Sequence, residues 1–138
     1  MGIDQGDMWQ DYLSKSERNL AAAERDLESG SYDPCVSRAY FAAFQAAIAA
    51  LLALTDFQRR GRYWDHGEIA AEFVRRLIHR RKVFPQTMAS SLDELKSRRH
   101  QVDYDHRQLS QPVAERSLGK ARQLVQQVHT TLHEQRAL

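Results

Sequence analysis

Apolar residues recur along this chain at steps of three and four, and no stretch alternates with a period of two, so the pattern predicts helices throughout. Trp9, Leu13, Leu20 and Leu27 form one stripe on a helix from about Asp7 to Glu28, which Ser29-Gly30-Ser31 ends. Asp33 as N-cap and Pro34 at the first helical position open a second helix that runs to Leu54. Its Ala, Phe, Ile and Leu residues lie almost all round, which marks the central helix of a bundle, and small alanines let neighbours approach closely. The charged loop Gln58 to Arg62 leads to a third helix capped by Asp65, with Ile69, Phe73 and Leu77 facing inward. A fourth helix begins at Pro85. A fifth begins at Pro112 and carries Val113, Leu118, Leu124, Val125, Val128 and Leu132. The fold class is all-α, with about five helices in a single domain over residues 1–138.

The fourth stripe contains two polar members. Met88, Leu92, Leu95, Val102 and Leu109 keep the helical period, and the intervening positions on that face are Arg99 and His106. Burying an isolated charge costs several kcal/mol, about what a small domain has to spare, so both need a partner. An anion, a carboxylate or a subunit seam would each supply one. The competing reading ends the helix near Arg99, because Asp103-Tyr104-Asp105 is poor helix sequence.

Charge sharpens the picture. The net charge is only +2, yet residues 59–107 hold twelve Lys/Arg against seven Asp/Glu, while residues 1–58 hold four against nine. The densest cluster, Arg75 to Lys82, closes the third helix, where cations also suit the helix dipole. Such a cluster reads equally as a solvated helix end and as part of a nucleic-acid surface.

Several classes of function fall away. The amino-terminal MGIDQGDM is acidic and lacks an apolar segment, which points to a protein that stays in the cytoplasm. The run Phe41 to Leu54 is interrupted by Gln45 and is shorter than the roughly 20 residues that span a bilayer, so no membrane association is expected. Cys35 is the single cysteine, which excludes an internal disulfide and a thiolate metal cage within one chain. His129 and His133 have ligand spacing but enclose no glutamate, and read as a surface pair; no metal and no cofactor is expected. Phosphate-binding glycine loops and a nucleophile elbow are missing.

What remains is Arg99-His100-Gln101-Val102-Asp103-Tyr104-Asp105-His106-Arg107. An arginine offers a fork of donors suited to phosphate oxygens, and a histidine exchanges protons near neutral pH. These are the tools of metal-free RNA cleavage, in which a base takes the ribose 2′-hydroxyl proton and a cation stabilises the phosphoryl oxygens. A homodimer would double the set and could bury the Arg99 stripe at its seam.

Ser37-Arg38-Ala39-Tyr40-Phe41-Ala42-Ala43-Phe44-Gln45-Ala46-Ala47 resembles the central-helix signature of HEPN (higher eukaryote and prokaryote nucleotide-binding) domains. Arg99 to His106, with six residues between, resembles their arginine-to-histidine motif. The resemblance covers nearly the whole chain. It implies an antiparallel helical bundle with a four-helix core, commonly a homodimer with a cleft where the two motif helices meet. Many members are metal-independent endoribonucleases, often toxins encoded beside a minimal nucleotidyltransferase antitoxin.

On that resemblance Arg99 stabilises phosphate, His100 is the polar residue that follows it, and His106 is the acid/base. Arg98, His100, Tyr104 and Arg107 are candidate substrate contacts. The shortest spacing in the family would put the histidine at position 104, which is Tyr104 here, and His106 would then stand where some toxins carry the tyrosine their antitoxin modifies. Two functions therefore stand side by side. One is a homodimeric ribonuclease or toxin using Arg99 and His106; the other is a non-catalytic module that binds a nucleotide, RNA or a nucleotidyltransferase partner through Arg99.

Overall fold

The computed structural model describes residues 8–136, so the expectations that rest on MGIDQGD, including a helix start at Asp7, lie outside the described residues. Helix α1 spans Trp9–Glu28. Gly30 takes a left-handed φ of 77°, and the chain reverses as Gly30 N–H bonds to the Leu27 carbonyl and Ser31 N–H to that of Asp26. Glycine adopts that conformation without a Cβ clash, which is why Ser29-Gly30-Ser31 stops the helix.

Helix α2, Tyr32–Leu54, lies at the centre and packs against α1 along most of its length. Seven of its alanines are completely buried: Ala39, Ala42, Ala43, Ala46, Ala47, Ala49 and Ala50. Small side chains there bring backbones together, and the interior keeps its density without large cavities. Two polar links set the α1–α2 register. The buried Ser16 hydroxyl donates to the Ala42 carbonyl at 2.8 Å, and Asn19 Nδ2 donates to Gln45 Oε1 at 2.8 Å. Gln45 thus interrupts the apolar run because Asn19 meets it.

Two expectations about α2 need correction. Asp33 is not its N-cap: the helix already includes Tyr32 and Asp33, and the Asp33 carboxylate accepts instead from Leu109 N–H at 2.8 Å. The apolar stretch also extends beyond Phe41 to Leu54: an 18-residue window of the 23-residue helix has mean hydropathy 1.5, enough by length and composition alone to cross a bilayer. In the bundle 78% of that apolar window is buried, as in a core helix.

Helix α3, His66–Glu72, starts where expected: the Asp65 side chain accepts from Glu68 N–H at 2.9 Å. It continues as a π-helical segment, Phe73–Arg80, in which Phe73 and Leu77 are fully buried. Lys82, at φ 52°, turns the chain back so that Val83 and Phe84 N–H both bond to the Leu77 carbonyl. Phe84 then stacks on Phe73 at 5.3 Å between ring centres.

The fourth helix does not begin at Pro85. Pro85 is extended and its carbonyl accepts from Met88 N–H at 3.0 Å, opening a 3₁₀ turn over Gln86–Met88. Helix α4 runs over Ser91–Tyr104 and buries Leu92 and Leu95. Helix α5, Gln111–Arg136, is capped by Ser110, whose carbonyl accepts from Ala114 N–H at 3.1 Å, and Pro112 occupies the first turn, where no donor is needed.

Cross-links fix the directions. Arg122 bonds to Glu24 and His129 to Glu17, so α5 runs antiparallel to α1, while Lys120 bonds to Glu94 across the α4–α5 turn. Helices α1 and α4 therefore point one way and α2 and α5 the other, an all-α antiparallel bundle with α3 bridging α2 to α4.

Candidate functional site

Arg99 leaves α4 one turn beyond the buried Leu95 and lies half-buried against α2. Its guanidinium sits over the Phe41 ring at 4.7 Å and over the Tyr40 ring at 5.7 Å. Among the described residues it makes no hydrogen bond and no ion pair. A cation whose flat face rests on aromatic rings keeps its N–H fork free at the edge, and a half-buried charge without an acceptor is costly until an anion arrives.

The rings under Arg99 hold a second group. Tyr40 is 2% exposed, and a buried phenol needs a partner, which is His66 Nδ1 at 2.5 Å. The His66 ring lies nearly parallel on Phe44 at 4.0 Å. Burial pushes the Tyr40 hydroxyl up to about 12, with Arg99 pulling slightly the other way and Asp93 adding to the rise. Burial, together with the charges of Lys96 and Arg99, holds the His66 pKa below its usual 6.5, against a small opposing effect of Asp65. At neutral pH His66 is therefore uncharged and Tyr40 keeps its proton.

A pH prediction follows from that shift. His66 protonates more readily unfolded than folded, so its contribution to stability is present above pH 6.5 and is lost as pH falls below it. The wild-type melting temperature is expected to drop more between pH 7 and pH 5 than that of His66→Gln. Parallel pH profiles for the two proteins would show that His66 is not the group responsible.

The other predicted residues are placed differently. Arg99 and His106 do not share a buried face: α4 stops at Tyr104, Asp105 is extended, and the His106 side chain is 86% exposed with Asp105 Oδ1 at 3.8 Å as its contact. Asp103-Tyr104-Asp105 ends the helix for the reason that sequence makes poor helix, though one turn later than the competing reading had it. The segment after it is pinned at its far end, where Tyr32 N–H donates to Gln108 Oε1 at 3.2 Å and Leu109 N–H to Asp33. Leu109 reaches the core from this connector rather than from a helical stripe. Among the described residues no bond joins Arg99 to His106.

The His100 ring lies tilted against that of Tyr104 at 4.3 Å, and Tyr104 is 77% exposed, so both rings stand on the outer face at the end of α4. Arg98 turns the other way. Its Nη1 donates to Gln101 at 2.9 Å, and it lines a cavity of about 390 Å³ between α4 and α5 with Glu94, Arg116 and Lys120. Arg107 is exposed, its N–H bonded to Asp105 Oδ1 at 3.0 Å.

The basic cluster on α3 is partly spent on the fold. Arg75 and Arg76 both bond to Glu72, Arg76 reaches Asp56 at 2.7 Å, and Arg81 donates to the Leu54 carbonyl. Burial acts to raise the Glu72 pKa, but the Arg76 and Arg75 hydrogen bonds outweigh it and leave it below the usual value. The His129 and His133 rings meet at a tilt, 4.2 Å between centres, on the surface, and among the described residues no group of three metal-binding side chains occurs. Cys35 is buried and its thiol is pushed up to about 11, first by burial and then by Asp26, which disfavours the reactive thiolate.

Sequence reasoning missed Tyr40, Phe41 and His66 as parts of the Arg99 site. A signal existed for Tyr40, because a phenol on an otherwise apolar helix must find a partner. None existed for His66, which lies 26 residues from Tyr40.

Comparison with known families bears on this geometry. The family model described as HEPN domain matches residues 9–131, which takes in α1 through most of α5. No curated protein matches the chain.

Proposed function

The chain belongs to the HEPN domain family, whose role is nucleotide- or RNA-related, and from that premise we propose a metal-independent endoribonuclease that acts as a homodimer. One observation carries this reading: the Arg99 guanidinium, held over Phe41 and Tyr40, has no acceptor among the described residues. An RNA phosphate would satisfy it. In the reaction a base removes the ribose 2′-hydroxyl proton, the oxygen attacks the adjacent phosphorus, and the 5′-oxygen leaves with a proton from an acid. Arg99 neutralises charge growing on the phosphoryl oxygens, and His106 serves as acid/base. The products are a 2′,3′-cyclic phosphate and a 5′-hydroxyl.

A dimer suits the exposed position of His106. A second copy facing the end of α4 would bring two Arg99–His106 sets to one cleft, with the exposed His106 rings open to substrate rather than packed in the seam. His100, Tyr104 and Arg107 then line the path of the RNA, while Arg98, turned into the α4–α5 cavity, does not. In this reading the protein is the toxin of a cytoplasmic pair, and its antitoxin is a minimal nucleotidyltransferase.

The second reading, a non-catalytic module that binds nucleotide, RNA or a nucleotidyltransferase partner, is favoured by the 86% exposure of His106 and its lack of any bond to Arg99. The test is incubation of the wild-type protein with single-stranded RNA in EDTA, with light scattering on the same sample. Cleavage leaving cyclic phosphate ends, by a dimer, is expected. Intact RNA that is nonetheless bound would move the assignment to the second reading.

A further inference from the structure

Resting on the reading of Arg99 as a phosphate anchor, we infer that the Nε2–H of His66 is a further phosphate contact beside Arg99 and Lys96, held in that tautomer by the Tyr40 hydroxyl. The argument begins with the phenol. Tyr40 is 2% exposed and its oxygen has one hydrogen-bond partner among the described residues, His66 Nδ1 at 2.5 Å. If Nδ1 carried the proton and donated, the phenolic O–H would be buried with no acceptor, which costs on the order of 1–3 kcal/mol. The phenol therefore donates, Nδ1 accepts, and an uncharged imidazole must carry its proton on Nε2.

The direction of that N–H is also set. Phe44 holds the ring plane, with 18° between the planes at 4.0 Å, and Tyr40 holds Nδ1. Nε2 is the ring nitrogen left over once Nδ1 meets the phenol, and the residue as a whole is half-buried rather than enclosed. No hydrogen bond to Nε2 is made among the described residues. The Arg99 guanidinium covers the Tyr40 ring at 5.7 Å, and the His66 ring centre is 5.7 Å from that of Tyr40. Lys96 precedes Arg99 by three residues on α4, and the positive charges of both act on His66, with Asp65 the opposing carboxylate.

The chemistry of this set selects its ligand. Two cations and one neutral N–H donor, with no acceptor among them, suit the oxygens of a phosphate monoester or diester and would repel a metal ion or an amine. Keeping His66 uncharged has a use: the donor is in place at every pH above its own titration, and no proton has to be taken up before the anion binds. His66 is in this scheme a phosphate-binding residue, and Tyr40 is a positioning residue.

The experiment is ¹⁵N-detected NMR of the imidazoles, first free and then with inorganic phosphate and with a 2′-deoxy dinucleotide that cannot be cleaved. In the free protein His66 is expected as the Nε2–H tautomer, and both ligands are expected to shift its Nε2 signal. Arg99→Ala and Lys96→Ala should each weaken that titration, Arg99→Ala by about tenfold or more, as befits loss of a charged hydrogen bond. Tyr40→Phe should release the tautomer and weaken phosphate binding. Should that variant fail to fold, the wild-type tautomer and the exposed Lys96→Ala variant still decide. A His66 found as the Nδ1–H form, or unmoved by saturating phosphate, overturns the inference even if the protein cuts RNA. Phosphate binding at His66 by a protein that never cuts RNA upholds it while the ribonuclease reading falls.

Discussion

His106→Ala is expected to cleave single-stranded RNA in EDTA about 10²–10⁴-fold more slowly than wild type, while its dimer and its RNA affinity stay nearly unchanged. General acid/base help is given only as protons move, so its loss leaves the ground state alone. His106 is well suited to show this separation. Its side chain is 86% exposed and supports nothing else in the fold, so removing it should leave the melting temperature within experimental error. Arg99→Ala should behave differently, losing cleavage and part of the binding together, since a phosphate contact acts before and during the reaction. That variant also uncovers the Phe41 and Tyr40 rings, so thermal melts must accompany it. Tyr104→Phe, which keeps the ring against His100, should be mild. If His106→Ala cuts as fast as wild type, the acid/base role passes elsewhere and the binding-module reading gains.

The contrast between Arg99 and His106 also shows where periodicity stops being informative. Apolar spacing carried real information as far as Leu95 and Val102, because those residues lie on α4 and meet the core. Beyond Tyr104 the same spacing continued to Leu109, but the chain had left the helix and Leu109 reaches the core by another path. A period of 3.6 is evidence of a buried face only while helical hydrogen bonds persist. Two groups read as sharing one face thus divide, Arg99 against the bundle and His106 in solvent. The Asp33 error has a similar origin, since an Asx side chain caps whichever nearby N–H lacks a partner, and here that N–H belongs to Leu109.

What was legible was local. Asp65 caps α3 and the α3 stripe is buried because each depends on residues within a few positions. The signature on α2 pointed to the family, and its Tyr40 and Phe41 turn out to lie under Arg99. Their contact joins residues about sixty positions apart, and the Tyr40–His66 bond spans 26, so neither has a spacing rule. The π-helical segment was equally hidden, since Ile69, Phe73 and Leu77 fit an ordinary α-helical stripe.

That segment is where a single truncation should cost most. Phe73 is completely buried, begins the π-helical turns, and stacks on Phe84, which the reversal at Lys82 folds back beneath it. Phe73→Ala removes the transfer energy of a whole ring and leaves a cavity that Phe84, itself 2% exposed and tied through its N–H to Leu77, can fill only in part. A loss of about 3–5 kcal/mol is expected, a large share of the roughly 5–15 kcal/mol that holds a domain of this size together. The melting temperature should fall by roughly 10–20 °C. Tyr63→Ala, at 80% exposure, is the control and should stay within about 0.5 kcal/mol of wild type. The effect should extend to function, because α3 carries His66 to Tyr40, and loosening its far end lets the imidazole leave the Arg99 site. Urea titrations of both variants, followed by circular dichroism, measure the difference. A Phe73→Ala midpoint close to that of Tyr63→Ala would mean that α3 is held on the bundle by Ile69 and Leu77, and that the Phe73–Phe84 pair is not its anchor.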